Sequence, residues 1–357
     1  MKPKERLLNS IKGKEIDRTA FSPFLAYFWN SLSDAERKGG QAEYLKSVGA
    51  DPLLRGTHQL YKTKYKNCEV STVDKNFEKF VTYTTPVGEI KEEHTYVKSA
   101  NTWFLTDHAV KTPEDFKVLT YINENMQVTP DYQPFESEYK ALGDDGLILP
   151  KIGAYQKTGF QSLLEKWVGT EELVYAVYDY PDIVEECLEV MKIPSLRSVE
   201  ISVDSSAEGF IFWEDSSTTN ISPQLFLKYA APEINSWGDI IHKNGKFLVH
   251  HACGNIKDLL LHMKNTSVDV IESVTPPPTG DVEIWEAQEI LNGEIALIGG
   301  IDPTVFLFSD MNDLEKYVRE LLSKVNKEKF ILANSDSCPP GVTREKFEMV
   351  AKLVKNC

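Results

Sequence analysis

The sequence predicts a (β/α)8 TIM barrel with a small antiparallel β insertion after its second strand. Three observations predict it. Short apolar runs alternate with amphipathic helical stretches about eight times along 357 residues. Most of the last five runs are continuously apolar, as parallel strands covered on both faces are. No G-x-G-x-x-G turn marks a doubly wound sheet, the competing α/β architecture.

The runs come in order. AFSPFL at 20–25 is the first strand. DPLLRG at 51–56 is the second, after the helical stretch QAEYLKSVG. LILPKIGA at 147–154 is the third. GFIFWED at 209–215, KFLVHHACG at 246–254, VDVIESV at 268–274, IALIGGI at 295–301 and KFILANS at 329–335 complete the set. Between them, FQSLLEKWVGTEELVYAVYDYPDIVEECLEVMKI reads as helices broken near Gly169. The next helix opens with Ser222 as N-cap and Pro223 at the first helical position. Asn255 is the expected cap of the helix after the HHACG strand. From about 60 to 107 the chain is rich in Thr, Val, Tyr and Phe around a Pro-Val-Gly turn. This reads as antiparallel strands inserted on the βα side, where insertions commonly roof the active site. No Pro/Gly/Ser-rich linker divides the chain, so one barrel domain over 1–357 is expected.

The formal net charge is -15, from 54 acidic and 39 basic residues. Such a surface repels nucleic acid phosphates and anionic membranes. The N-terminal stretch lacks an apolar core and no run of ~20 apolar residues exists, so a cytoplasmic protein is expected. Five cysteines, Cys68, Cys187, Cys253, Cys338 and Cys357, are too few and odd in number for a disulfide framework.

In α/β barrels the reactive groups lie at the carboxyl ends of strands. That rule selects Trp213, Glu214, Asp215, His250, His251, Cys253, Glu272, Asp302, Asn334, Asp336 and Cys338. His251-Ala-Cys253 is the sharpest feature. Residues i and i+2 of a strand point the same way, so an imidazole and a thiol converge, and both suit zinc. Cys338 follows the last strand and stands at the same mouth. A ligand set and a group of small buried thiols are both compatible with this spacing. Cys68, Cys187 and Cys357 are assigned no ligand role. His250 faces opposite His251 and is expected to pack. Of Glu214 and Asp215 only one enters the mouth. Trp213 and the aromatics Phe24, Tyr27, Phe28 and Trp29 are candidates to line a pocket for a flat substrate, or are core.

KERLLNSIKGKEIDR, then HACGN, then IGGIDP, then SCPP resemble the uroporphyrinogen decarboxylase superfamily across nearly the whole chain. GFIFWEDSSTTNISPQLF and TPVGEI followed by KTPEDFKVLTYI resemble its zinc-dependent, corrinoid-linked methyltransferase branch. That resemblance implies zinc held by His251, Cys253 and Cys338; at the strand end beside them, Glu214 is the candidate fourth ligand and Asp215 the candidate acid. Tyr27, Trp213 and Asn334 are then expected at the substrate. It further implies a corrinoid carried on a partner protein and a small methylated substrate, a methoxylated aromatic first. A small thiol as methyl acceptor is the alternative, and a metal-free binding protein a third reading. A homodimer is compatible with the sequence. The segment FSPFLAYFWNSLSD has no arginine where uroporphyrinogen decarboxylases bind porphyrinogen carboxylates, which argues against that decarboxylation.

Overall fold

The computed structural model describes residues 1–98 and 102–355. The chain forms two compact units. The first, Met1–Gln59, Tyr132–Lys151 and Val203–Cys357, holds eight parallel strands. They are β1 (Ala20–Phe21), β2 (Leu53–Gln59), β3 (Leu147–Lys151), β4 (Gly209–Glu214), β5 (Phe247–Ala252), β6 (Val270–Val274), β7 (Ala296–Ile301) and β8 (Phe330–Asn334). All eight fall within or across the sequence-derived runs. Their order is β1-β8-β7-β6-β5-β4-β3-β2, with helices between successive strands: the (β/α)8 arrangement.

The two ends of this sheet meet at a seam without a ladder of paired strands. Asp51 N donates to Phe21 O at 2.7 Å, Leu53 N to Ser22 Oγ at 3.2 Å, and Phe21 N to Asp51 Oδ2 at 3.1 Å. Inside the ring, Leu53, Leu147, Leu149, Ile211, Phe247, Val249, Val270, Ala296, Ile298, Ile331 and Ala333 form the core. Leu7 and Ile11 of the helix Pro3–Lys12 join that cluster. Next to this helix, buried Asp51 takes Arg6 Nη1 at 2.5 Å and Arg18 Nη1 at 2.8 Å, and Asp17 takes Arg6 Nε at 2.6 Å. The KERLLNSIKGKEIDR segment therefore acts structurally, clamping the chain around β1 and β2.

Local signals behave as their chemistry requires. Ser222 Oγ accepts from Leu225 N with Pro223 next to it, and Gly169 breaks the helices at φ 89°. Asn255 does not cap. Asp281 Oδ1 accepts from Ile256 N at 2.9 Å and Lys257 N at 3.1 Å, so a carboxylate distant in sequence does that work.

The second unit spans Leu60–Asp131 and Ile152–Ser202. Its antiparallel sheet runs Glu69–Lys75, Glu78–Thr85, Gly88–Val97, Thr102–Asp107, in the expected insertion. Tyr61–Tyr65 pairs with Met126–Pro130, a strand the sequence did not suggest. The helix Pro113–Glu124 opens with a Thr112/Asp115 capping box and packs on the sheet, where Tyr83, Ile90 and Glu92 are buried. Among the described residues no helix is long and apolar enough to cross a membrane.

Candidate functional site

Side-chain phase along the strands decides what faces the barrel interior. Ile211, Val249 and Val270 belong to the interior core, so residues two further along, Trp213, His251 and Glu272, face the same way one layer nearer the carboxyl end. On β2, Leu53 sets the same phase for Arg55. These four side chains form the top layer of the barrel.

Three of them, Arg55, Glu272 and His251, are bonded in series. Arg55, with no exposed side-chain surface, donates from Nη1 to Glu272 Oε1 at 2.6 Å and from Nη2 to Ser22 O at 2.5 Å. Glu272 Oε2 pairs with His251 Nδ1. For Glu272, burial acts to raise the carboxyl, but the His251 and Arg55 charges outweigh it and hold it below the usual range. For His251, burial opposes the charged ring, and the Glu272 carboxylate overcomes it and lifts the imidazole well above the usual histidine value. Trp213 packs on His251 with ring centroids 4.6 Å apart, and Phe24 lies 5.0 Å from Trp213 and 6.0 Å from His251. Gly56 is required there. Its φ is +65°, and a Cβ would stand 2.4 Å from Trp213 Cζ2.

His251 and Cys253 are brought together. The Cys253 thiol stands beside the His251 ring, and its Sγ lies 3.9 Å from Glu214 O and from Asp215 Oδ1. Burial pushes its thiol up, partly offset by His251. Asp215 Oδ2 is also held by Asn220 Nδ2 at 2.6 Å, so the proposed acid stands beside Cys253. On the other side, Asp336 Oδ1 lies 3.9 Å from His251 Nε2.

Other expected positions differ. Glu214 faces away from the interior layer: its Oε2 lies 3.3 Å from His250 Nε2 and accepts from Ser216 Oγ at 3.2 Å. The structure thus does not bring it to His251, because Trp213 takes the inward phase. His250 packs as expected, stacked on Phe212 at 4.3 Å. Asn334 is fully buried, and its amide is committed to backbone: Phe24 N at 3.0 Å, Phe24 O at 3.1 Å and Asp336 O at 2.7 Å. It clamps the Phe24 loop instead of presenting itself to a substrate. Asp302 caps the helix Pro303–Phe308. The Tyr27 ring is exposed, and its N donates to Ser337 Oγ at 2.9 Å. Cys187 is buried, Cys68 half-buried, and Cys357 lies outside the described residues.

Cys338 is buried on the loop after β8, two residues beyond Asp336. Its N donates to Phe24 O at 2.8 Å, and its Sγ has Pro339 O at 3.9 Å. Among the described residues no three His, Cys, Asp or Glu side chains converge on one metal-sized point. The donor chemistry of the His251–Cys253 pair nevertheless fits zinc. A carboxylate on Nδ1 leaves Nε2 as the nitrogen that would face a metal once it gives up its proton, as in carboxylate–histidine–zinc arrangements. Burial pushes the Cys338 thiol far up, so it ionises here only beside a cation.

Sequence reasoning passed over Arg55 and gave Glu272 no role. The signal was present: a cation inside DPLLRG and an acid inside VDVIESV, each in an apolar strand, require a partner.

The family model described as uroporphyrinogen decarboxylase (URO-D) matches residues 162–357. A methyltransferase from Methanosarcina mazei superposes with a TM-score of 0.64 at 14% identity, covering 100% of this chain and 98% of that one. A B12-independent methionine synthase from a Shewanella species gives a TM-score of 0.47 at 10% identity, covering 95% and 97%. No curated protein matches. With more than half of its length matched by the family model, the chain belongs to the uroporphyrinogen decarboxylase (URO-D) family.

Proposed function

We propose that this chain is a zinc-dependent methyltransferase that moves a methyl group from a small methoxylated aromatic to the cobalt of a corrinoid carried by a separate protein. The observation that carries this reading is the His251–Cys253 pair at the carboxyl end of β5, with Glu272 on the second imidazole nitrogen. The Methanosarcina mazei methyltransferase shares the fold over its whole length, which is compatible with that chemistry.

His251, Cys253 and Cys338 would hold the metal. Zinc would supply a Lewis acid for the oxygen that keeps the C–O electron pair as the methyl group departs. The chain's own groups do the rest. Arg55 and Glu272 hold the His251 ring in one orientation. Phe24 and Trp213 offer flat apolar walls beside it. Asp215, next to Cys253, would give a proton to the departing oxygen. The aromatic walls favour an arene donor over a small thiol acceptor.

The test has two parts. The purified protein is analysed for metal, with Cys253→Ala and Cys338→Ala alongside. It is then incubated with a reduced corrinoid protein and methoxybenzoates, following the corrinoid spectrum. Zinc near one per chain, lost in both variants, and methylation of cobalt are expected. Metal content indifferent to both substitutions rejects the site. Demethylation of methyl-corrinoid by a small thiol, with no ether active, reverses the direction.

A further inference from the structure

The antiparallel sheet of the second unit has two unlike edges. At one edge, Thr102–Asp107, pairing with its neighbour shifts register between Glu93 and His94. Such an irregularity twists an edge away from new partners. At the other, Glu69–Lys75 pairs with Glu78–Thr85 in unbroken register from Glu69↔Thr84 to Lys75↔Glu78. All its residues are exposed, Val70 by 45% and Val73 by 50%. It carries no proline and no bulge, two of the devices that blunt a free edge, and its charges Glu69, Asp74 and Lys75 lie toward its ends.

The sequence of this edge, Glu69-Val-Ser-Thr-Val-Asp-Lys75, complements itself when run antiparallel about Thr72. Thr72 meets Thr72, Val70 meets Asp74, Ser71 meets Val73, and Glu69 meets Lys75. Both ends then place opposite charges across the junction, and a parallel alignment would place like charges together. Backbone parity agrees. Asn76 and Phe77 form a two-residue turn, with Asn76 at φ 56°, which makes Lys75 and Glu78 the closing hydrogen-bonded pair. Counting back, Lys75, Val73, Ser71 and Glu69 point their N–H and C=O groups into the sheet, and Asp74, Thr72 and Val70 point theirs outward. A two-fold axis at Thr72 therefore falls on an outward-facing residue. A shift of one residue in this centre keeps outward-facing residues opposite one another but loses the Glu69–Lys75 charge match.

We propose that two copies of this chain associate through the Glu69–Lys75 edges, antiparallel about Thr72, joining two four-stranded sheets into one. The contact does not depend on the methyl-transfer reading. Edge pairing alone buries less surface than a standard interface, so the dimer is reversible and salt-sensitive.

Analytical ultracentrifugation of the full-length protein, from about 1 to about 100 μM, spans the affinity range of such small interfaces. A monomer–dimer equilibrium that weakens with added salt is expected. Thr72→Pro removes an outward N–H and leaves the sheet's own ladder intact; it is expected to be monomeric with an unchanged melting temperature. Lys75→Glu is expected to weaken association at least about tenfold, and Glu69→Lys/Lys75→Glu to restore it, because the pairing is intermolecular. A wild-type protein monomeric throughout, a dimer that survives Thr72→Pro, or a double variant no tighter than Lys75→Glu overturns the proposal.

Discussion

Removing Arg55 tests the top layer of the barrel most directly. Arg55→Met keeps the apolar stem and deletes the guanidinium, so the change is electrostatic, with little cavity formed. The side chain is fully enclosed and makes a 2.6 Å ion pair with Glu272 and a 2.5 Å bond to Ser22 O. Breaking a buried pair from one side costs about 3–5 kcal/mol, because the remaining charge loses its partner. Here His251 still faces Glu272, which places the electrostatic loss near the lower end, and the freed Ser22 carbonyl adds about 1 kcal/mol. The expected total is about 4 kcal/mol. At ~2–4 °C per kcal/mol, the barrel transition falls by roughly 8–16 °C. Arg55→Met/Glu272→Gln removes both charges and keeps an amide for His251, so it is expected to be less damaging than the sum of the single variants by at least about 1.5 kcal/mol. Thermal and urea unfolding of the four proteins measure this cycle. A loss below about 1 kcal/mol for Arg55→Met, or strict additivity in the double variant, would refute the serial Arg55–Glu272–His251 arrangement.

Three further outcomes are expected. Gly56→Ala forces a side chain into a left-handed position and onto the Trp213 indole, costing about 2–3 kcal/mol, with a shift in tryptophan emission that an undisturbed site would not show. Asn334→Ala deletes two buried bonds to Phe24 and a partly buried one to Asp336 and lowers stability by about 3 kcal/mol; loss of turnover at unchanged melting temperature would instead make Asn334 a substrate contact. Asp17 is held far below the ordinary carboxylate range by its hydrogen bond with Arg6. Its folded value is depressed, so its contribution is complete above the unfolded value near ~3.9 and fades as pH falls below it. The stability gap between wild type and Asp17→Asn should accordingly stay flat at neutral pH and close in acid, and a gap that widens in acid contradicts the pairing.

All eight barrel strands were legible because both faces of a parallel strand are covered, which leaves continuous apolar runs such as IALIGGI and KFILANS. The same physics hid the inward phase. A strand apolar on both faces shows no alternation, so nothing in FIFWED told Trp213 from Glu214 as the inward residue. His251 and Cys253 were legible together because an i, i+2 spacing survives ignorance of phase. Arg55, inside the DPLLRG run, carries no sign of its role in the sequence because its carboxylate partner lies four strands away in sheet order. Asn334 looked functional by position at a strand end; only the Phe24 loop folded over it exposes its task. The π-helical turns at Leu163–Trp167 and Phe226–Ala230 left no mark in the composition of their segments.

The seam between β1 and β2 has a consequence for how the barrel opens. From β4 to β8 the ring is held by ladders of backbone bonds and β3 meets β4 at Ile211↔Lys151, but between β1 and β2 the join consists of one backbone bond, the Asp51 and Ser22 side chains and the Arg55 guanidinium. A ring closed like a clasp unrolls from the clasp. Amide protons of Phe21 and Leu53 should therefore exchange with solvent through smaller openings than those of β5 to β7. Because Arg55 belongs both to the clasp and to the chain of bonds that ends on His251, loosening the join and disordering the imidazole are one event.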